Sequence, residues 1–204
     1  MSHYFLHDEH LKKCDYNVVF SVNNHEFHLV SNNGVFSKTR IDEGSYLLIS
    51  SVLKLDIKGD LLDLGCGYGP VGITLKYFFR NINLFMSDVN STCLELTRNN
   101  LKLNNEEADV ILSDGFKNIA KSFDFIIFNP PIRIGKLKLF EIYEDVYKHL
   151  NQNGQFIIVI RKDKGAESHK KFLETLFEKV ELLEGKRGYQ IYRMTKIICL
   201  KGAK

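Results

Sequence analysis

The segment Leu61-Leu62-Asp63-Leu64-Gly65-Cys66-Gly67-Tyr68-Gly69-Pro70 constrains this chain more than any other. Its leucines suit a buried strand. Glycines at alternate positions then permit backbone conformations closed to other residues. Pro70 suits the first turn of a helix, where a missing N–H costs nothing. A strand that breaks at once into a helix begins a β-α-β unit. The following residues repeat the alternation. Helices are expected over 71–79, 91–103, 136–150 and 168–177, and strands over 60–64, 83–88, 109–112, 123–128 and 155–161. Strands joined by helical crossovers predict a parallel, doubly wound α/β sheet. Two last strands, 179–183 and 190–200, have no long helix between them, which predicts an antiparallel final strand. Ahead of the glycine segment, 16–31 reads as a β-hairpin turning at Asn23-Asn24, and 44–55 has helical spacing. The expected organisation is an N-terminal hairpin extension, 1–33, and one domain, 34–204.

Composition excludes several classes. The chain has 204 residues and only three prolines, Pro70, Pro130 and Pro131, unlike a disordered or collagen-like chain. No apolar run approaches the ~20 residues of a membrane span. The N-terminus lacks the basic-then-apolar pattern of a signal peptide, and the four cysteines are far apart with no Cys-x-x-Cys pair. A cytoplasmic protein with reduced thiols and no metal or membrane partner is expected. Net charge is +3, but residues 1–130 carry 12 Lys/Arg against 16 Asp/Glu, and residues 131–204 carry 16 against 9. The basic part begins at the Pro130-Pro131 pair.

Asp88 ends the strand after the glycine loop, 19 positions beyond Gly69. A carboxylate there suits the two ribose hydroxyls of an adenosine. The loop has neither the Gly-x-Gly-x-x-Gly spacing of a dinucleotide site nor the lysine of a P-loop. Asp63 beside it favours a ligand bearing positive charge.

Asn129-Pro130-Pro131-Ile132 follows the strand 123–128, at the sheet edge where open α/β folds bind ligands. Two prolines stiffen the loop and fix its carbonyl directions. The amide oxygen of Asn129 and the carbonyl of Pro130 can accept both hydrogens of one planar amino group. Such a grip favours pyramidalisation and aims the nitrogen lone pair. Arg133, Lys136 and Arg161 are candidate contacts for a phosphate-bearing substrate.

The loop from Asp63 to Gly69 resembles motif I of class I S-adenosylmethionine-dependent methyltransferases. That resemblance implies a Rossmann-like, mostly parallel seven-stranded sheet with an antiparallel last strand. It also implies S-adenosylmethionine as cofactor and S-adenosylhomocysteine as product. Asp63, Gly65, Cys66, Gly67, Gly69, Asp88, Val89 and Asn129 would then bind the cofactor, with Ser113-Asp114 near the adenine. The Asn-Pro-Pro tetrad resembles that of amino-group methyltransferases, with Ile132 where those carry an aromatic residue. Gly34-Val35-Phe36-Ser37, Asp42-Glu43-Gly44, Gly135-Lys136 and Gly188-Tyr189 narrow the likeness to the RsmC-type small-subunit ribosomal RNA guanine-N2 methyltransferases. Those have two such domains in tandem, and this chain matches the second. The resemblance implies that Phe36, Lys38 and Asp42 line the pocket. It also implies that Asn129, Pro130 and Pro131 are catalytic, that Ile132 touches the base, and that ribosomal RNA or the small subunit is the partner. A protein glutamine amide or a small molecule as acceptor, and a non-catalytic RNA-binding or assembly role, are the alternatives.

Overall fold

The structure is a computed structural model describing residues 14–33 and 39–197, apart from the Ile132 side chain. Phe36 and Lys38 lie outside the described residues. Strands β1 (Asp15–Val22) and β2 (His25–Asn32) form the hairpin. Asn23 and Asn24 both take positive φ, 46° and 64°, which gives a turn whose twist matches the strands. Val18, Phe20 and Val22 on β1 and Phe27 and Leu29 on β2 alternate with exposed residues, so one face is buried.

Helix α1 (Glu43–Val52) follows, capped by Asp42, whose Oδ1 accepts the Ser45 N–H at 3.0 Å. Then come β3 (Gly59–Leu64), α2 (Pro70–Phe78), β4 (Ile82–Asp88), α3 (Ser91–Leu103), β5 (Asp109–Leu112) and β6 (Phe123–Phe128). The chain continues with α4 (Lys136–Lys148), β7 (Leu150–Arg161), α5 (Ala166–Leu176), β8 (Lys179–Lys186) and β9 (Tyr189–Thr195). The seven-stranded sheet has the order β5-β4-β3-β6-β7-β9-β8. Strands β3 to β7 pair in parallel, and β9 runs antiparallel between β7 and β8. This is the Rossmann-like sheet expected from the sequence.

Several boundaries differ from expectation: the helix read over 44–55 ends at Val52, and the last strand, read over 190–200, is Tyr189–Thr195. Helix α4 ends at Lys148, and Leu150 opens β7 opposite Phe123. An apolar residue at a helix end and one at a strand start give the same signal, so periodicity alone runs the helix too far. The link from β5 to β6 has no regular helix. There Ser113 Oγ accepts the Asn118 N–H at 3.1 Å and closes a turn.

Strand alternation divides the core into two layers. Phe125, Ile127, Ile157 and Val159 pack with the hairpin and with residues of α1, α2 and α3. Ile126, Phe128, Phe156 and Ile158 pack with α4 and α5 on the opposite face. Burial on both faces explains why β6 reads as a continuous apolar run. From β3 the chain crosses to β4, and from β6 it crosses the other way to β7. Leu64 pairs with Phe128, so Gly65 and Asn129 leave neighbouring strand ends side by side. That reversal of direction opens the crevice where ligands bind in such sheets. Among the described residues, no helix is long and apolar enough to cross a membrane.

Candidate active site

The glycine loop is held by its own backbone. Cys66 N–H donates to Ser87 O at 2.8 Å, and Gly67 N–H donates to Asp88 Oδ2 at 2.9 Å. Asp88 Oδ1 accepts the Asn90 N–H at 2.9 Å. Gly65, Gly67 and Gly69 have φ of 65°, 59° and 98°, so side chains at these positions would be strained. Nothing lies within 4 Å of where a Cβ on Gly67 would sit, leaving open space over the loop. Gly72 answers a different need. A methyl group there would fall 2.8 Å from Met86 Cε and 2.9 Å from Asp63 Oδ2.

Asp63 is buried and accepts the Gly72 N–H at 2.8 Å. Burial pushes its carboxyl up to about 7; the Gly72 bond opposes that rise and the Asp88 charge adds to it. Burial also raises Asp88, against the pull of the N–H groups of Asn90, Gly67 and Val89. A crevice with two reluctant carboxylates gains from a cationic ligand. Burial raises the Cys66 thiol well above its usual range, so this residue serves the loop through its backbone. Ser113 N–H donates to Asp88 O at 3.0 Å, which joins the ends of β4 and β5. Asp114 pairs with Lys117 at 2.6 Å, and that bond holds its carboxyl below the usual range. Val89 stands partly exposed at the loop edge.

Asn129 is oriented from the other side of the crevice. Its Nδ2 donates to Ser45 Oγ at 2.9 Å and to Asp42 Oδ1 at 3.3 Å. An ionised carboxylate only accepts, so Asp42 settles which way the amide faces. Asn129 Oδ1 is thereby turned away from α1, and Pro130 follows with its own carbonyl. Asp42 therefore acts on the amide as well as capping the helix. The Ser45 contact joins residues 84 positions apart, beyond local pattern.

Arg161 lies at the same sheet edge. Its guanidinium is 5.7 Å from the centre of the Tyr189 ring and makes a two-bond pair with Asp163, both bonds 3.0 Å. Tyr189 in turn packs where a methyl group on Gly44 would be 3.1 Å from its ring. Arg161 thus reaches the α1 end of the crevice, but its charge is shared with Asp163. Arg133 is exposed and follows Pro131 in a short 3-10 turn, Ile132–Ile134. Lys136 begins α4 and lies 5.3 Å from the Phe140 ring centre.

A seven-stranded α/β sheet with a glycine loop and an Asn-Pro-Pro loop across its switch point defines a methyltransferase. Residues 26–193 match the model of the methyltransferase small domain family, and the chain belongs to that family. It is 38% identical to the uncharacterized protein YbxB of Bacillus subtilis (strain 168), over 96% of this chain and 98% of that one. It is 41% identical to the ribosomal RNA small subunit methyltransferase C of Actinobacillus pleuropneumoniae serotype 7, over 61% of this chain and 40% of the relative. A solved structure of the T. thermophilus 16S rRNA N2 G1207 methyltransferase (RsmC), in complex with AdoMet and guanosine, superposes with a TM-score of 0.80 at 21% identity. That match covers 89% of this chain and 50% of the Thermus chain. The chain thus spans half or less of these two RsmC relatives.

Proposed function

We propose that this protein transfers the methyl group of S-adenosylmethionine to the exocyclic N2 of a guanine in small-subunit ribosomal RNA. The observation that carries this reading is the locked amide of Asn129, which leaves an acceptor oxygen beside the Pro130 carbonyl. Kinship with RsmC proteins supports guanine and ribosomal RNA.

The residues present fit the cofactor. Asp88 ends β4 with a carboxylate suited to ribose hydroxyls, and the positive-φ glycines leave open space above the loop. Asp63, with its raised carboxyl, favours the cationic end of the ligand. Ser113 and Asp114 stand at the β5 end for the adenine, with Val89 beside them. When bound, the cofactor supplies an electrophilic methyl group on a sulfonium. Asn129 Oδ1 and Pro130 O accept the two hydrogens of the target amine, and Pro131 keeps their carbonyls fixed. The lone pair this frees forms the new N–C bond as the S–C bond breaks. The surplus proton leaves to water, and S-adenosylhomocysteine remains. Positioning of this kind lowers barriers by up to ~7–11 kcal/mol. The guanine must be unpaired or flipped to enter. Ile132 lies next to Pro131 for the base, and Arg133, Lys136 and Arg161 edge the crevice for flanking phosphates.

The test is to offer labelled S-adenosylmethionine with small subunits from a strain lacking this protein, then digest the RNA to nucleosides. Label is expected in N2-methylguanosine. Label in protein, in another nucleoside or nowhere overturns the reading.

A further inference from the structure

Helix α3 holds the glycine loop through two of its side chains. Thr97 Oγ1 donates to Gly67 O at 2.8 Å, and Asn100 Nδ2 donates to Tyr68 O at 2.8 Å. Two successive carbonyls of the loop are therefore bonded from one helix face, at positions three apart.

Asn100 does more than Thr97. It is fully buried, its Oδ1 accepts the Val30 N–H at 2.7 Å, and its Nδ2 also donates to Val30 O at 2.9 Å. One turn later Asn104 repeats the pattern on His28, accepting its N–H at 3.4 Å and donating to its carbonyl at 2.8 Å. The spacing explains the match. Four helical residues rise about 6 Å. Two strand residues rise about 6.8 Å. The outward edge of β2 thus pairs with two asparagine amides where a third strand would pair. The hairpin and the glycine loop meet in a single side chain, Asn100.

We infer that Asn100 is a positioning residue for the cofactor loop, coupling the docked N-terminal hairpin to the shape of the loop at Tyr68. This rests on the cofactor reading above for its ligand, but not for the coupling itself. Tyr68 gives the loop reason to need such support. Its hydroxyl is buried with no hydrogen-bond partner among the described residues, and Asp42 is the acid that acts on it. The Asn100 bond to its carbonyl holds it from the backbone side.

The experiment compares Asn100→Ala with Asn104→Ala, which removes a hairpin bond but leaves Tyr68 O untouched. S-adenosylhomocysteine affinity is read by calorimetry, and amide exchange at 67–69 by mass spectrometry. Asn100→Ala is expected to lose about tenfold in affinity, the worth of one hydrogen bond, and to exchange faster at the loop. Asn104→Ala is expected to lower Tm while keeping affinity within about twofold. Asn100→Gln can reach Tyr68 O with its longer amide and should recover part of the affinity. Should Asn100→Ala fail to fold, Thr97→Val breaks the neighbouring loop bond alone. Bound ligand should then slow the Val30 amide in the wild-type protein and also in Thr97→Val, where Asn100 is intact; no slowing in the wild type would overturn the coupling. Unchanged affinity and exchange in Asn100→Ala, or equal losses in both asparagine variants, would overturn the coupling. If the wild-type protein binds no S-adenosylhomocysteine, the cofactor reading fails. The exchange comparison still decides the coupling.

Discussion

At the scale of single residues, two side chains separate binding from chemistry. Asn129→Ala removes the acceptor oxygen without touching the glycine loop. Cofactor affinity should stay within about twofold and turnover should fall at least about 100-fold, as when one preorganised partner of a reacting group is lost. Equilibrium binding and single-turnover label transfer check the two halves. Asp63 supplies a pH dependence. Its folded carboxyl sits at about 7 against 3.8 in the unfolded chain, because burial opposes its charge. The folded form therefore holds a proton through the window between those values, where the unfolded chain has released it. Stability contributed by that proton is present at low pH and lost as pH rises toward 7. Asp63→Asn keeps an acceptor for the Gly72 N–H but has no proton to lose. Its Tm should gain on the wild type from about pH 4 to about pH 7 and level off above, and a constant difference would show that Asp63 does not titrate in that window.

At the scale of elements, α4 and α5 are joined by one buried polar contact. Tyr143 Oη lies 2.9 Å from His169 Nδ1, and both residues are buried. Tyr143→Phe keeps the ring and strands the imidazole nitrogen, at an expected cost of about 1–3 kcal/mol in denaturant unfolding. Burial, helped by the Lys136 charge, holds His169 below its usual range. Stability is therefore lost as pH falls below about 6.5, where the unfolded imidazole takes a proton that the folded one resists. That contact is invisible in the sequence, since it joins residues 26 apart with no local pattern. The elements themselves are largely legible. The apolar run of Phe123–Phe128 and the glycines after Leu64 each act over a few residues, and the strand and the helix start form where those signals put them. The strand opening at Leu150 is hidden because its apolar signal is shared with a helix end. The candidate site is legible in Asp88 and Asn129, which follow from the strand-end positions of the two motifs. Their supports, Ser45, Thr97 and Asn100, are not, since a buried Asn on a helix looks like any polar residue until its partners are known.

At the scale of the whole molecule, the charge change near Pro131 acquires a location. Strands β6 and β7 are parallel neighbours, so the segments that follow them leave the same edge of the sheet, beside Asn129. Arg133 and Lys136 follow β6; Lys162 and Lys164 follow β7 in a 3-10 turn. Among the described residues none of these four makes an ion pair, whereas Lys170 and Lys171 pair with Glu174 and Glu167 along α5. Free cations are already solvated and release counterions when they meet phosphates, so these four are the ones that should bind RNA. Lys162→Glu with Lys164→Glu should weaken binding of the proposed RNA substrate by about tenfold or more near 0.1 M salt. The slope of log affinity against log salt should become shallower by about 0.7 for each phosphate of single-stranded RNA that is no longer neutralised. S-adenosylhomocysteine affinity should not change, because the glycine loop lies across the switch point at β3. Lys170→Glu with Lys171→Glu makes the same change in net charge on α5. If that variant weakened RNA binding as much as the first, the attraction would belong to net charge alone and not to the edge beside Asn129.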